Sequence, residues 1–210
     1  MTLVSSGMKV RKSAARMGRP RAFDIDEALD RALHVFWQKG YEGASLSDLT
    51  EAMGINRPSL YAAFGNKEAL FCKALDRYAE GPAAYVHEAL KEPTARAVVE
   101  RLLQGAVDLQ TDPRNPPGCL MVQSALSCRE ASDPIRKEVA ARRKAGEAAI
   151  RQRFKRAIAK GDLPADANAA DLARYVATVM YGLAVQAAGG ASRAELRPAI
   201  QMALRAWPGA

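Results

Sequence analysis

Apolar residues recur every three or four positions along most of this chain, which is the spacing of α-helices that bury one face. In the first such segment, Asp24 to Lys39, an aspartate stands at the start and Gly40 follows the end, as is typical of helix boundaries. Its apolar positions are Ala28, Leu29, Ala32, Leu33, Phe36 and Trp37. No segment shows the alternation of a strand, so the pattern predicts an all-α protein.

The same spacing predicts helices through the rest of the chain. A helix capped by Asn66 is interrupted at Gly81-Pro82, where a hinge and a static bend are both open interpretations. The sequence DPRNPPG reads as a loop, and the next helix begins at Gly118-Cys119-Leu120. Further helices are predicted over residues 94–111, 133–160, 169–188 and 194–207.

Between Ser45 and Lys67 the pattern contains two short helices joined by a tight turn. Ser45 and Asp48 form the S-x-x-D of a capped helix start, and Gly54 ends that helix. Asn56 caps a second helix with Pro58 in its first turn. Leu60 and Phe64 face inward on this helix, whereas Arg57, Ser59 and Tyr61 face outward. This arrangement predicts a helix-turn-helix whose second helix enters the major groove of DNA.

At this point the chain resembles the TetR family of bacterial transcriptional regulators. The resemblance rests on GYEGASLSDLTEAMGI and NRPSLYAAFGNKEALF, preceded by ALDRALHVFWQKG, and covers about residues 19–75. It implies a three-helix DNA-binding head followed by a helical domain that binds a ligand and dimerises. We therefore divide the chain into a basic flexible arm (1–18), a helix-turn-helix domain (19–66) and a helical effector-binding and dimerisation domain (67–210).

Positive charge is concentrated ahead of the first helix. The net charge is +8, and no acidic residue precedes Phe23, although six Lys and Arg residues do: Lys9, Arg11, Lys12, Arg16, Arg19 and Arg21. A basic arm of this kind can enter the minor groove or follow phosphates; the alternative is a leader that only keeps the chain soluble. The predicted DNA-contacting residues are Arg19, Arg21, Ser45, Ser47, Arg57, Pro58, Ser59, Tyr61, Ala62 and Lys67.

These residues have different expected roles on DNA. Arg57 is suited to a guanine edge or a phosphate, and Pro58 and Ala62 to a thymine methyl group. Tyr61 resembles the family's phosphate-contacting tyrosine. The residues at helix starts, Ser45, Ser47 and Lys67, are suited to phosphate.

A small-molecule effector of unknown identity is the expected ligand of the C-terminal domain. Its candidate pocket residues are Tyr85, Cys119, Met121, Leu126, Tyr175, Met180 and Tyr181, although Met and aromatic residues at helical spacing also occur as ordinary core. Cys119 supports a second hypothesis, thiol modification by an electrophile or oxidant, because a helix start favours a thiolate. Cys128 lies nine residues further along, too far for a disulfide within one helix.

The last two helices are expected to pair two copies of the chain. Their apolar stripes predict a two-fold, four-helix interface, with burial inside the monomer as the alternative. The predicted interface residues are Leu172, Val176, Val179, Leu183, Leu196, Ile200 and Trp207.

The chain is thus predicted to be a homodimeric, cytoplasmic repressor that a small molecule releases from a palindromic double-stranded DNA operator. No catalytic residue, metal ligand or cofactor is assigned, because phosphate-binding loops, H-E-x-x-H and metal-spaced cysteines are absent. No apolar run approaches the length of a membrane span, and three cysteines suit a reducing compartment. A third hypothesis is a helical carrier protein whose head has lost operator specificity.

Overall fold

The computed structural model describes residues 23–127 and 133–208, although it leaves the side chains of residues 126, 127 and 133 undescribed. Within these residues the chain forms ten helices and no strand, which confirms the all-α prediction. In chain order the helices are α1 (Ile25–Gly43), α2 (Leu46–Met53), α3 (Arg57–Phe64), α4 (Lys67–Glu80), α5 (Tyr85–Ala89), α6 (Ala95–Gln110), α7 (Leu120–Ser127), α8 (Asp133–Ala159), α9 (Ala169–Ala188) and α10 (Arg193–Arg205).

Local hydrogen bonds set the boundaries of the helix-turn-helix. The Ser45 hydroxyl accepts from the amide of Asp48, whose carboxylate in turn accepts from the amide of Ser45. Gly54 ends α2 in the left-handed conformation (φ 68°), which glycine adopts without a steric penalty. The Asn56 side chain then accepts from the amide of Ser59 and begins α3.

Gly40 interrupts the helical backbone of α1, as predicted, but α1 does not end there. The residue has φ 68° and ψ 177°, and one further turn follows it as far as Gly43. This break directs Tyr41 back into the core, where its ring centroid lies 5.1 Å from that of Phe71 on α4. The kink therefore joins α1 to α4 through an aromatic cluster.

One hydrophobic core holds the N-terminal helices together and extends beyond them. It joins α1, α2, α3 and α4, with Phe36, Trp37 and Phe71 completely buried. Leu120 of α7 and Ile135 and Val139 of α8 belong to the same core. The packing is therefore continuous across residue 66, where we predicted a domain boundary.

A second core lies among α6, α8, α9 and α10. It contains most of the residues that we predicted at the dimer interface: Val176, Leu183, Leu196, Ile200 and Trp207 are at most 5% exposed, and Leu172 and Val179 pack partly buried against the same cluster. Trp207 contacts Phe154 of α8, with ring centroids 5.2 Å apart. Burial inside the monomer, the alternative for this stripe, therefore accounts for most of these side chains, and their place at a dimer interface stays a prediction.

None of the helices in the described part of the chain combines the length and the hydrophobicity that crossing a membrane requires.

Candidate DNA interface and effector site

The outer face of α3 is the most exposed surface of the helix-turn-helix. Leu60 and Phe64 are buried, while Arg57, Pro58 and Ala62 are exposed and Tyr61 keeps 47% of its surface accessible. The helix thus presents one cation, one phenol and two small apolar groups to whatever lies against it.

Arg57 links the two helices of the motif on their outer side. Its Nη2 donates to the Ser47 hydroxyl over 3.1 Å, and both side chains are exposed. Ser59, also predicted to contact DNA, is half-buried. The structure therefore brings Ser47, Arg57 and Tyr61 to one surface, while the side chain of Ser59 lies at its edge.

Ser45 and Asp48 form a charged junction between α1 and α2. The Lys39 ammonium lies 2.7 Å from the Asp48 carboxylate, and the Ser45 hydroxyl donates to the same group. These hydrogen bonds lower the pKa of the Asp48 carboxyl to about 2, and the bond from Lys39 has the largest effect. The Ser45 hydroxyl is therefore occupied by the capping hydrogen bonds. The residue is exposed, but its hydroxyl is not free to bind a phosphate.

The Lys67 side chain is less accessible for DNA contact than the sequence suggests. Its Nζ lies 4.4 Å from the centroid of the Tyr41 ring, and desolvation by burial lowers the pKa of the ammonium. A cation over an aromatic face is held in place electrostatically. The side chain stays at the first turn of α4, but it is partly covered. The remaining predicted DNA contacts, Arg19 and Arg21, and the basic arm lie outside the described residues.

Two contacts join the DNA-binding head to the loop before α7. The indole N–H of Trp37 donates to the carbonyl oxygen of Gly118 over 3.1 Å in a buried setting. The Tyr78 hydroxyl lies 3.5 Å from the Cys119 sulfur. Trp37 and Tyr78 also contact each other edge to face, with ring centroids 4.8 Å apart. A displacement at Cys119 would therefore also displace α1 and α4, which carry Trp37 and Tyr78.

Gly118 is required at this junction for two reasons. Its φ is 84°, and a Cβ atom there would lie 2.9 Å from the Cβ of Ala188 on α9. The residue thus lets the loop pass against α9 while its carbonyl oxygen reaches Trp37.

Three predicted effector residues do come together. Burial raises the pKa of the Tyr85 hydroxyl, and the nearby Cys119 thiol and Tyr181 hydroxyl raise it further. The Tyr85 ring lies directly on the backbone of α6, where a Cβ on Gly105 would be 2.3 Å from its Cδ2 atom. Tyr85, Cys119 and Tyr181, together with Tyr78, form what we call the tyrosine cluster. It lies beside the junction between the head and the C-terminal domain.

The other predicted effector residues lie elsewhere. Tyr175 is 38% exposed on the outer side of α9, so its assignment to an interior pocket is wrong. Met180 packs against the C-terminal core, and Met121 packs against the core of the head. The side chain of Leu126 and the whole of Cys128 lie outside the described residues.

Exposed apolar side chains mark a second face of α9 and α10. Tyr175 and Val185 lie on α9, Val185 with 49% of its surface accessible, and Met202 on α10 is 63% accessible. A Cβ on Gly182, which lies between the first two along α9, would meet no atom within 4 Å. This surface is open in a single chain and is suited to contact with another helix.

Sequence reasoning missed Trp37, Tyr78 and Arg143. The first two were assigned to the apolar faces of their helices, and their partners lie 81 and 41 residues away along the chain. No local pattern reports such pairs. Arg143 appeared only as one of many cations on α8, yet its Cζ lies 4.3 Å from the Tyr181 ring centroid.

No group of three or more His, Cys, Asp or Glu residues within the described ranges is arranged to hold a metal ion.

Comparisons with known proteins agree with this geometry. Residues 28–73 match the family described as bacterial regulatory proteins, tetR family, and residues 95–207 match the tetracyclin repressor-like C-terminal domain. The chain is 35% identical over 194 residues to the HTH-type transcriptional repressor ComR of Escherichia coli, covering 91% of this chain and 92% of the relative. It is 33% identical over 135 residues to the repressor BdcR of the same species, covering 63% and 66%.

Among solved structures, the chain is similar to the TetR family transcriptional regulator CifR. A cysteine mutant of CifR in complex with 26-base-pair operator DNA has 48% sequence identity and a TM-score of 0.87, covering 90% of this chain and all of that one. The similarity spans both the helix-turn-helix and the C-terminal helices.

Proposed function

Because the chain belongs to the TetR family of DNA-binding transcriptional regulators, we propose that two copies repress transcription from a palindromic operator and leave it when a small molecule binds. The observation that carries this proposal is the outer face of α3. It exposes Arg57, Pro58, Tyr61 and Ala62 over a buried base of Leu60 and Phe64. The family consists of transcriptional regulators rather than enzymes.

The role of α3 can be tested with operator DNA selected from genomic fragments. We expect the full-length protein to retain a small set of fragments that share an inverted repeat, and to bind it far more tightly than scrambled DNA of the same composition. Recovery of fragments without a common sequence would instead support a helical carrier protein whose head binds DNA only through charge.

We place the dimer contact on the open face of α9 and α10 that carries Tyr175, Val185 and Met202. These three apolar side chains are exposed, and the small residue Gly182 beside Tyr175 on α9 allows close approach of a second helix. A two-fold contact there pairs the C-terminal domains and leaves both α3 helices free. Two recognition helices about 34 Å apart meet successive major grooves on one side of DNA.

The tyrosine cluster is the proposed effector site. It lies between α4, α5, α7 and α9 and touches the two contacts that hold the head, Trp37 to Gly118 and Tyr78 to Cys119. A ligand that moves Cys119 or Gly118 must break or stretch these contacts. Binding there would therefore change the orientation of α1 and α4, and with them the separation of the two α3 helices.

A second candidate mechanism is covalent modification of Cys119 by an electrophile. The thiol is partly exposed and lies 3.5 Å from the Tyr78 hydroxyl, so an adduct on the sulfur would displace that ring. The similar regulator CifR has solved structures of cysteine mutants in complex with operator DNA, which makes its cysteines of interest for comparison.

Thiol sensing can be separated from reversible binding with two serine variants. We expect iodoacetamide to release the wild-type protein from operator DNA and to leave the Cys119→Ser variant bound. Cys72→Ser is the matched control, because Cys72 is also partly exposed but burial raises the pKa of its thiol. If Cys119→Ser is released as readily as wild type, modification of Cys119 is not the signal.

A further inference from the structure

Arg143 is a cation in the C-terminal domain that none of the described residues neutralises. Its guanidinium stacks on the Tyr181 ring, with Cζ 4.3 Å from the ring centroid. Its Nε atom is buried and has no hydrogen-bond partner. Among the described residues no carboxylate lies within ion-pair distance of it. A buried donor without an acceptor destabilises a fold, so this position favours an acceptor supplied from outside the chain.

The neighbouring arginine shows what an ordinary structural role looks like on this helix. Arg142 donates to Asp76 of α4 over 2.6 Å and to Glu138, one turn earlier on α8, over 2.7 Å. These two carboxylates neutralise Arg142 and tie α8 to α4. Arg143 points to a different side of α8 and makes no equivalent pair, so its charge is not explained by the packing of α8 against the head.

Open space lies beside Arg143. Gly146 follows it by three residues and therefore lies next to it on the helix surface. A Cβ built on Gly146 would meet no atom within 4 Å, although the residue is only partly exposed. The helix surface thus has free space at Gly146, one turn from the Arg143 backbone.

An aromatic ring lies against the Arg143 guanidinium. Tyr181 lies under the guanidinium, and Tyr181 and Cys119 are both close enough to Tyr85 to raise the pKa of its hydroxyl, beyond the larger effect of burial. A ligand held here would meet one cation at one end and phenol rings and a thiol along its body. This combination matches an amphipathic molecule with a single anionic group.

We propose that Arg143 binds the carboxylate of the effector, and that the effector is a small organic monoanion with an apolar body. This inference rests on the proposed function, because it assigns a chemical class to the ligand of the same C-terminal site. The guanidinium is a planar fork that fits carboxylate and phosphate oxygens alike. One arginine balances a carboxylate, whereas a phosphate dianion needs a further cation, and Arg142 is already paired with Asp76 and Glu138.

The test uses the full-length protein and two matched pairs of probes, benzoate with benzamide and octanoate with octanamide, at constant ionic strength. Isothermal titration calorimetry measures the affinities. Thermal unfolding gives an independent readout, because a ligand that binds the native state raises the melting temperature. We expect at least one carboxylate to bind and its amide to bind at least tenfold more weakly, since the charged hydrogen bonds are lost.

Two variants locate the site. Arg143→Gln removes the charge and is expected to weaken carboxylate binding about ten- to a hundredfold. Gly146→Leu extends a side chain into the adjacent space, where a Cβ would meet no atom within 4 Å, and is expected to weaken carboxylate binding as well while leaving the helix intact. Lys144→Gln is the matched control, because it removes an exposed charge from the next position on α8 and is expected to bind as wild type. If Arg143→Gln does not fold, Gly146→Leu alone decides.

The outcomes separate this inference from the proposed function. Operator binding is measured on the same samples by fluorescence anisotropy. If the wild type binds its operator but neither carboxylate, or if Gly146→Leu and Arg143→Gln bind carboxylate as well as wild type, the inference is wrong and the proposed function stands. If inorganic phosphate binds through Arg143 more tightly than either carboxylate, the ligand class is wrong. Failure of every sample to bind operator overturns the proposed function instead.

Discussion

At the scale of single residues, Arg57 is the exposed cation of α3, the helix that we propose binds DNA. In the absence of DNA its guanidinium is exposed and held by one hydrogen bond to Ser47, over 3.1 Å. That bond orients the side chain along the outer face of the motif without burying it. Binding to a guanine edge or a phosphate therefore needs only a small rearrangement of the arginine.

We expect Arg57→Ala to weaken specific operator binding by about 1–3 kcal/mol, because a charge-assisted contact is lost. Fluorescence anisotropy at one fixed salt concentration measures the effect. Arg151→Ala on the exposed side of α8 serves as the control for the change in net charge. Unchanged affinity in the Arg57 variant would remove this side chain from the interface.

Trp37 is the residue through which the head contacts the loop before α7. Replacing it with Phe keeps the aromatic packing against Tyr78 but removes the hydrogen bond to Gly118 and leaves a buried carbonyl oxygen unpaired. We expect Trp37→Phe to lower the free energy of unfolding by about 1–3 kcal/mol. Urea unfolding followed by circular dichroism measures this loss, and a stability equal to that of wild type would show that the bond contributes nothing.

The sequence correctly predicted that the apolar positions of α1 and α3 face inward, because helical periodicity is a local property. It could not predict which distant atoms those positions meet. Trp37 and Gly118 are 81 residues apart, and nothing in the spacing around either residue indicates the other. The same holds for Arg143 and Tyr181, whose contact depends on how α8 packs against α9.

At the scale of helices, side-chain caps explain why the predicted boundaries agree with the structure so closely. Asp24, Ser45, Asn56, Asn66, Asn168 and Ser192 each accept from backbone amides at the start of the following helix. A cap depends on residues within four positions of one another, so it can be read from the sequence.

The direction in which an apolar stripe faces is a different matter. The stripes of α9 and α10 are buried as predicted, but within the chain's own core rather than only against a second copy. Val176 and Ile200 pack on the chain's own core, and the opposite faces carry Tyr175 and Met202. Periodicity shows that a face is buried and does not show whether its partner is the same chain or another copy.

The cap of α2 gives a prediction about pH. Hydrogen bonds from Lys39 and Ser45 lower the pKa of Asp48 from its ordinary value of 3.8 to about 2. A carboxylate with a lowered folded-state pKa stabilises the fold above its unfolded pKa, and this stabilisation is lost as the pH falls through the folded value. We therefore expect wild type to be more stable than Asp48→Asn above pH 3.8, with the difference shrinking towards pH 2.

Urea unfolding of the two proteins at pH 6, 4, 3 and 2 measures this difference. Asp171→Asn is the control at an exposed position in the first turn of α9. A difference between wild type and Asp48→Asn that stays constant across the series would show that the Asp48 carboxylate is not specifically stabilised in the folded chain.

At the scale of the whole molecule, two cores meet around the loop that carries Gly118 and Cys119. The first core joins the helix-turn-helix to α4, α7 and the start of α8, and the second joins α6, α9 and α10 to the rest of α8. Helix α8 therefore contributes side chains to both cores, and α7 packs in the first core. This continuity supports the proposal that a ligand in the C-terminal domain acts on the DNA-binding head.

Dimerisation through the open face of α9 has a direct test. Gly182→Leu places a large side chain where a single chain has free space, and it replaces glycine within a helix, which favours the helix by up to about 1 kcal/mol. The monomer is therefore expected to remain folded while the dimer dissociates. Light scattering at micromolar concentration measures the mass, and Ala159→Leu at the exposed end of α8 is the control. A variant with an unchanged dimer mass would place the contact elsewhere.

We propose above all that two copies of α3, held by one symmetric dimer, bind adjacent major grooves of a specific DNA site. The most direct measurement is a titration of the full-length protein against its selected inverted repeat and against a scrambled duplex of the same composition. We expect saturation at two chains per repeat, or a multiple of two, and an affinity for the repeat about a thousandfold or more above that for scrambled DNA. Equal affinity for the two duplexes, or saturation by a single chain, would contradict it.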